Sequence, residues 1–256
     1  MSLFEARQLS VRYGPVAAVD DVTLSVDDGS IVGLIGPNGA GKTTFIDAVT
    51  GFTPVSTGSI DFSGHSIRDR PVHERARLGL GRTFQSLELF EDLTVAENVL
   101  VATTHDRWWH PFIDVVAPSR RRGDPGVIEA LSTVGLAAAS DRLPTELSHG
   151  QRRSVGLARA IVSRPKLLLL DEPGAGLDPS ETSGLGDILR RLPTQGTTVL
   201  LVDHDMGLVM SVCDVVWVLD FGRVIATGTP AEIRRDERVV GAYLGHSGPT
   251  QPDHGR

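Results

Sequence analysis

Gly36-Pro37-Asn38-Gly39-Ala40-Gly41-Lys42-Thr43, with Thr44 behind it, is the stretch on which the reading of this chain turns. It follows Ile31-Val32-Gly33-Leu34-Ile35, a continuous apolar run of the kind a strand buried on both faces requires. Thr43 to Thr50 reads as a helix, so the local order is strand, glycine-rich loop, helix. In that setting the backbone N–H groups of the loop and of the helix N-terminus point inward and cradle β- and γ-phosphates. Lys42 adds a cation at the β/γ position, and the Thr43 hydroxyl is a ligand for Mg2+. A dinucleotide-binding Gly-x-Gly-x-x-Gly turn is the rival. It fails because the glycines fall at 36, 39 and 41 and run into Lys-Thr. The stretch therefore predicts ATP as a ligand, with Mg2+.

Composition bounds the rest. A chain of 256 residues, 40% hydrophobic and 22% charged, fits a globular core with one additional lobe. A formal net charge of -7 disfavours nucleic acid as a partner, because phosphate neutralisation usually leaves a basic footprint. Cys213, the single cysteine, has no intrachain disulfide partner, which fits a reducing compartment. A run of about 18 uncharged apolar residues is absent, and Glu5 and Arg7 interrupt the place of a signal peptide. The expectation is a chain that stays in the cytosol, where docking onto something embedded in the membrane remains open to it. Only Lys42 and Lys166 are lysines, the other basic residues being arginine, as codon bias would produce.

Along the chain, Leu9, Val11 and Tyr13, then Val22, Leu24 and Val26, alternate with period 2, and turns are expected at Tyr13-Gly14-Pro15 and Asp27-Asp28-Gly29. Gly58 to Gly64 reads as β structure and Pro71 to Gly79 as a polar helix. Helical patterning from Val95 to about Ala138 is broken by a loop-like segment, Arg107 to Pro125, and a further helix spans Gly150 to Ser163. Lys166-Leu-Leu-Leu-Leu-Asp171 and Thr198 to Asp203 read as buried strands. The tail from 246 to 256 is polar and expected to be disordered. Asp220-Phe221-Gly222 spells a kinase metal motif, but two apolar β stretches flank it and a catalytic-loop motif is missing upstream, so it reads as a hairpin turn. The eight histidines show no metal-ligand spacing.

A phosphate loop needs a second acidic strand end. Asp171, closing the leucine run, can reach the metal through water, and Glu172 can act as general base on the attacking water. An acidic pair capping the next helix is the bland alternative. Downstream stand Pro173-Gly174-Ala175-Gly176-Leu177-Asp178 and Val202-Asp203-His204-Asp205, and upstream Leu147-Ser148-His149-Gly150-Gln151. From about Leu3 to Leu244 the chain resembles the ATP-binding-cassette (ABC) ATPases, with many motifs in the family's order.

The resemblance implies an α/β fold: a P-loop NTPase (RecA-like) core with an N-terminal antiparallel β subdomain and an α-helical signature subdomain. The domain would run from 3 to 245, with the helical part, about 86–165, inserted in the core. Tyr13 would stack on adenine, against the plainer reading of a core or turn tyrosine. Gln85 would sense the γ-phosphate and Mg2+, beside Thr43 and Asp171 as metal ligands. Leu147, Ser148, His149, Gly150 and Gln151 form the signature loop, which caps the nucleotide held by a partner. Gly176, Leu177 and Asp178 belong to the loop crossing the dimer interface, and His204 is the switch histidine. Ser148 opens a helix whose N-terminus favours an anion. A single chain cannot fold that helix onto its own nucleotide, so two cassettes must meet head to tail. His149 departs from the family's commonest glycine. A side chain there must point away from the phosphates or be tolerated by the partner, and a modest effect on turnover is expected.

Further stretches resemble one branch, the ATPases of bacterial importers for branched-chain and related hydrophobic amino acids. They are Gly81-Arg-Thr-Phe-Gln85 with Leu89-Phe90-Glu-Asp-Leu-Thr-Val-Ala-Glu-Asn98, His204-Asp-Met-Gly-Leu-Val-Met210, Gly228-Thr-Pro-Ala-Glu-Ile233, and Val239 to Gly245; the insertion from Thr103 to Asp124 also looks like that branch. The branch implies a second ATPase subunit (a copy or a sister chain), two membrane permeases met by the segment Ser86 to Thr94, and an extracytoplasmic solute-binding protein. The chain would then sit peripherally on the cytoplasmic face of the inner membrane. Trp108, Trp109 and Phe112 are expected either at an interface or packed under the lobe. Urea-importing and lipid- or lipopolysaccharide-moving cassettes carry similar loops, and a soluble non-transport cassette protein is the remaining alternative.

Overall fold

The computed structural model describes residues 2–83, 88–103 and 123–245; Gln85, Trp108, Trp109, Phe112 and the 246–256 tail lie outside these. The N-terminal half alternates hairpins with single helices. β1 (Ser2–Tyr13) and β2 (Val16–Asp27) are followed by β3 (Ile31–Ile35), α1 (Lys42–Thr50), β4 (Thr57–Phe62), β5 (His65–Ser66), α2 (Val72–Arg77) and β6 (Leu80–Arg82). Among the described residues, the α-helices α3 (Val95–Val101), α4 (Pro125–Thr133) and α5 (His149–Ile161) come next. The chain then re-enters the sheet with β7 (Leu167–Asp171), α6 (Pro179–Arg191), β8 (Thr198–Val202), α7 (Met206–Val212), β9 (Val215–Asp220) and β10 (Arg223–Gly228). It ends in α8 (Pro230–Ile233) and α9 (Glu237–Gly245).

Two sheets form. One is antiparallel, in the order β2-β1-β4-β5; the other runs β10-β9-β3-β8-β7-β6, parallel except for the β9–β10 hairpin. β3, β7 and β8 are buried at every position, as their unbroken apolar runs predicted. Successive side chains on a strand point to opposite faces, so these strands feed two cores. Val32, Leu34, Leu167, Leu169, Leu200 and Val202 pack with Phe45, Ile46 and Val49 of α1 and with Phe4, Leu9 and Leu24 of the antiparallel sheet. Ile31, Ile35, Leu168, Leu170, Val199 and Leu201 pack on the other face with the helices, including Val99, Leu131, Val155 and Leu189. Burying both faces ties the two sheets and the helices into one body around the strand ends that carry the acidic residues.

The hairpin at Asp220-Phe221-Gly222 is as expected, with Asp220 paired to Arg223 across the turn. The strand expected through Tyr13 forms, and its last residues leave the core. Leu9 and Val11 are buried but Tyr13 is 53% exposed, because register shifts at Val11/Arg12 rotate the last residues outward.

Candidate functional site

The site forms at the C-terminal ends of β3, β7 and β8, where loops meet in open parallel sheets. The loop from Gly36 to Gly41 bridges β3 and α1. A Cβ at Gly36 would stand 2.1 Å from the Leu219 carbonyl oxygen, and one at Gly41 2.2 Å from that of Ala18, so glycine lets the loop lie flat on its neighbours. Gly41 opens α1 with no side-chain cap, which leaves the helix's first N–H groups for an anion. Lys42 is buried, and its Nζ donates to the carbonyls of Gly36 (2.7 Å) and Pro37 (3.0 Å). Burial lowers its pKa, opposed by the nearby charges of Glu172, Asp171 and Asp203. Thr43 is exposed on the first turn of α1, with Thr44 half-buried beside it. From the other end of the chain, the Tyr243 phenol of α9 lies beside the Gly36 backbone, and burial pushes its pKa up to about 12.

Asp171 closes β7 and is buried, which raises its carboxyl above the usual range, with Arg82 working against the shift. Arg82, on the edge strand β6, donates from Nη2 to Asp171 Oδ2 (3.2 Å) and from Nη1 to Asp47 Oδ1 (2.6 Å). The same strand is held to β7 by Thr83, whose N–H donates to the Leu169 carbonyl and whose hydroxyl accepts from the Asp171 N–H. Glu172 adopts a left-handed backbone (φ 48) and donates its N–H to the Val202 carbonyl at 2.7 Å. Its Oε1 lies 3.6 Å from His204 Nδ1, and Asp203 Oδ1 lies 3.7 Å from the same nitrogen. Asp203 is fully buried and accepts from the N–H groups of Gly174 and Asp205, so it shapes the turns that carry Glu172 and His204. Lys42, Asp171, Glu172 and His204 are thus brought together. The exposed Thr43 hydroxyl and the Asp171 carboxylate are hard oxygen donors of the kind Mg2+ takes alongside water and phosphate, so this donor set fits that ion.

The signature residues face a different set of partners. Ser148 caps α5: its Oγ accepts from the Gln151 N–H, and Gln151 Oε1 accepts from the Ser148 N–H. A Cβ on Gly150 would meet the carboxylate of Glu181 of α6 at 2.3 Å, so a side chain there would displace the Glu181 head group. The His149 imidazole turns back along α5, with Nε2 accepting from Arg153 Nε (3.3 Å) and facing Gly176. Leu147 packs against the helical core, as does Leu177. Asp178 is the N-cap of α6, its Oδ1 accepting from the Glu181 N–H. None of these partners belongs to residues 36–44. A cavity of ≈ 1060 Å³ beside α5, β6 and β7 is lined by Ser148, Gln151, Arg153, Arg82, Asp171 and Phe90 among others; it too excludes residues 36–44. Phe90, 48% exposed, is held at its rim by Asn98, which bonds both its N–H and its carbonyl, and by the Arg159 guanidinium 5.5 Å from its ring.

Tyr13 is too exposed for a core residue; its hydroxyl lies 3.3 Å from Thr53 Oγ1. Sequence reasoning passed over Arg82, Asp203 and Arg153 as site residues. The two arginines carried a faint signal: one stands three positions before Gln85, and the other one helical turn after His149.

Residues 19–175 match the family described as ABC transporter, and residues 223–248 match the one described as branched-chain amino acid ATP-binding cassette transporter. The chain is 40% identical over 252 residues to the high-affinity branched-chain amino acid transport ATP-binding protein BraF of Pseudomonas aeruginosa, covering 96% of this chain and 98% of that one. It is 38% identical over 251 residues to LivG of Escherichia coli, another such ATP-binding protein, with the same coverage. Its identity to the lipopolysaccharide export ATP-binding protein LptB of Haemophilus influenzae is also 38%, over 245 residues, again 96% and 98% of the two chains. Among solved structures, the ADP conformation of an ATP-binding cassette of an ABC transporter superposes with a TM-score of 0.82 at 28% identity, covering 96% of this chain and 99% of that one.

Proposed function

The chain belongs to the ABC transporter family of ATP-binding proteins, and from that premise we propose that it drives a bacterial importer of branched-chain or related hydrophobic amino acids. The convergence of Lys42, Asp171, Glu172 and His204 at one edge of the parallel sheet carries the ATPase reading. The loop 36–41 and the open N-terminus of α1 hold the β- and γ-phosphates, Lys42 leaving its loop carbonyls to meet them. Tyr13 stacks on the adenine. Glu172 takes a proton from the attacking water, and His204 orients that water against the γ-phosphate. Thr43, Asp171 and Gln85 would hold Mg2+, which when bound neutralises charge on the phosphates.

The signature stretch 147–151 completes the nucleotide site of a second ATPase subunit, a copy or a sister chain, and Gly176 to Asp178 line the same interface. The helical lobe inserted at about 86–165 presents Phe90 and its neighbours to two membrane permeases, which receive solute from an extracytoplasmic binding protein. No helix among the described residues is long and apolar enough to cross a membrane, so membrane attachment at the cytoplasmic face runs through those permeases. For the cargo, the match of residues 223–248 supports amino acids, and BraF and LivG support the same reading. The LptB similarity favours lipopolysaccharide export as the second reading.

Two measurements test the proposal. Glu172→Gln should retain ATP binding, lower turnover at least about a hundredfold, and accumulate an ATP-bound dimer; normal turnover would sink the general-base assignment. A pull-down from native membranes should recover amino-acid permeases, and recovery of lipopolysaccharide-export components instead would move the chain to the second reading.

A further inference from the structure

Arg153 occupies a position that none of the motif assignments uses. It lies one turn into α5, after His149. Its Nη1 donates to the carbonyl oxygens of both Glu172 and Pro173, each at 3.1 Å, while its Nε donates to His149 Nε2. Glu172 is a non-glycine residue in left-handed backbone (φ 48), a strained conformation that persists only where its surroundings hold it. The sheet grips this residue on one side, through its N–H and the Val202 carbonyl. Arg153 grips it on the other, through its carbonyl. The His149 ring also faces Gly176 in the loop behind Glu172, its Nε2 3.6 Å from where a Cβ on that glycine would stand. The guanidinium is half-buried among the site's charges, with Asp203 and Glu172 the nearest acidic influences.

Under the function proposed above, on which this inference rests, Ser148 to Gln151 act on the partner's nucleotide and Glu172 on the chain's own. Arg153 joins the two within one chain. We propose that Arg153 is a positioning residue that makes the placement of Glu172 depend on the seating of α5, so that engagement of the signature with one ATP readies the general base for the other. An arginine suits the task because its fork reaches two carbonyls and a ring nitrogen at once, which a lysine ammonium cannot do in one fixed geometry.

The test uses the full chain, with wild type, Glu172→Gln, Arg153→Lys and Arg153→Gln compared side by side. Initial rates against ATP concentration give kcat, KM and the Hill coefficient, and a fluorescent ATP analogue gives affinity. Arg153→Gln should lower kcat about tenfold to a hundredfold with analogue affinity within about twofold of wild type. Its Hill coefficient should fall to about 1 from a wild-type value above 1. Arg153→Lys, which keeps the charge and the fold, should recover part of kcat but not the cooperativity. Wild-type kcat and Hill coefficient in both variants overturn the proposal, as does a kcat loss in Arg153→Lys with cooperativity intact, which would mark a purely local brace. Failure of the underlying reading looks different: Glu172→Gln would then turn over like wild type.

Discussion

Replacing Arg82 with methionine would leave Asp47 and Asp171 facing each other across the space the guanidinium fills. In the native chain the arginine bonds both carboxylates, with its own side chain 11% exposed, Asp171 4% and Asp47 29%. Methionine keeps most of the length of the stem near Phe52, whose ring centroid is 5.7 Å from the guanidinium carbon, so the perturbation is mainly one of charge and hydrogen bonding. Removing one partner of a buried ion pair costs about 3–5 kcal/mol. Solvent screens the Asp47 half, so the expected loss at neutral pH is about 2–4 kcal/mol. The pH dependence follows from Asp171, whose carboxyl burial already raises, with Arg82 as the counterweight. A carboxyl with a folded pKa above its unfolded value contributes stability that is full below the unfolded pKa and is lost as pH rises through the folded pKa. Deleting Arg82 moves the folded pKa further up. The deficit of the variant should therefore be greatest on the alkaline side and shrink on acidification, as Asp171 takes a proton. Urea unfolding as a function of pH measures it, and Asp171→Asn in the Arg82→Met background should restore more than half of the loss. A deficit below about 0.5 kcal/mol, or one that grows on acidification, refutes the reasoning.

Three further outcomes follow from the site. Gly36→Ala forces a methyl against the Leu219 carbonyl, and a nucleotide titration should record at least a tenfold loss of affinity; binding within about twofold of wild type would contradict the close approach. Tyr13→Ala should raise KM for ATP about fivefold with kcat within about twofold, and Tyr13→Phe should behave as wild type; an unchanged KM in the alanine variant removes the stacking role. His149→Gly should change turnover less than about fivefold, because Arg153 keeps its bonds to both carbonyls and Ser148 still caps α5. A change of orders of magnitude would give the imidazole a role it is not assigned here.

Much of the candidate site was legible because its chemistry is written in short contiguous runs. The phosphate loop, the Asp171-Glu172 pair and the signature loop each lie within a few residues, and each declares its strand or helix through the apolar pattern beside it. Helix and strand positions followed from the same patterns, since burial on both faces demands the unbroken runs of β3, β7 and β8. Alternation likewise located β1 through Tyr13, while the exposure of Arg12 and Tyr13 at its end follows from register shifts against β2 that the period does not encode.

The sequence by itself therefore determined the phosphate loop and its flanking strand and helix through local spacing and hydrophobic period, and the α/β class and the family through the resemblance its motifs carry. Only the tertiary structure decided how the acidic residues are held. Arg82 is 89 positions from Asp171 in the chain, and Arg153 is 19 from Glu172. The turning of His149 toward Gly176 likewise depends on where α5 packs. Such contacts follow from how separate elements pack, and no period or motif encodes a pair of side chains that meet only after the strands between them have found their register.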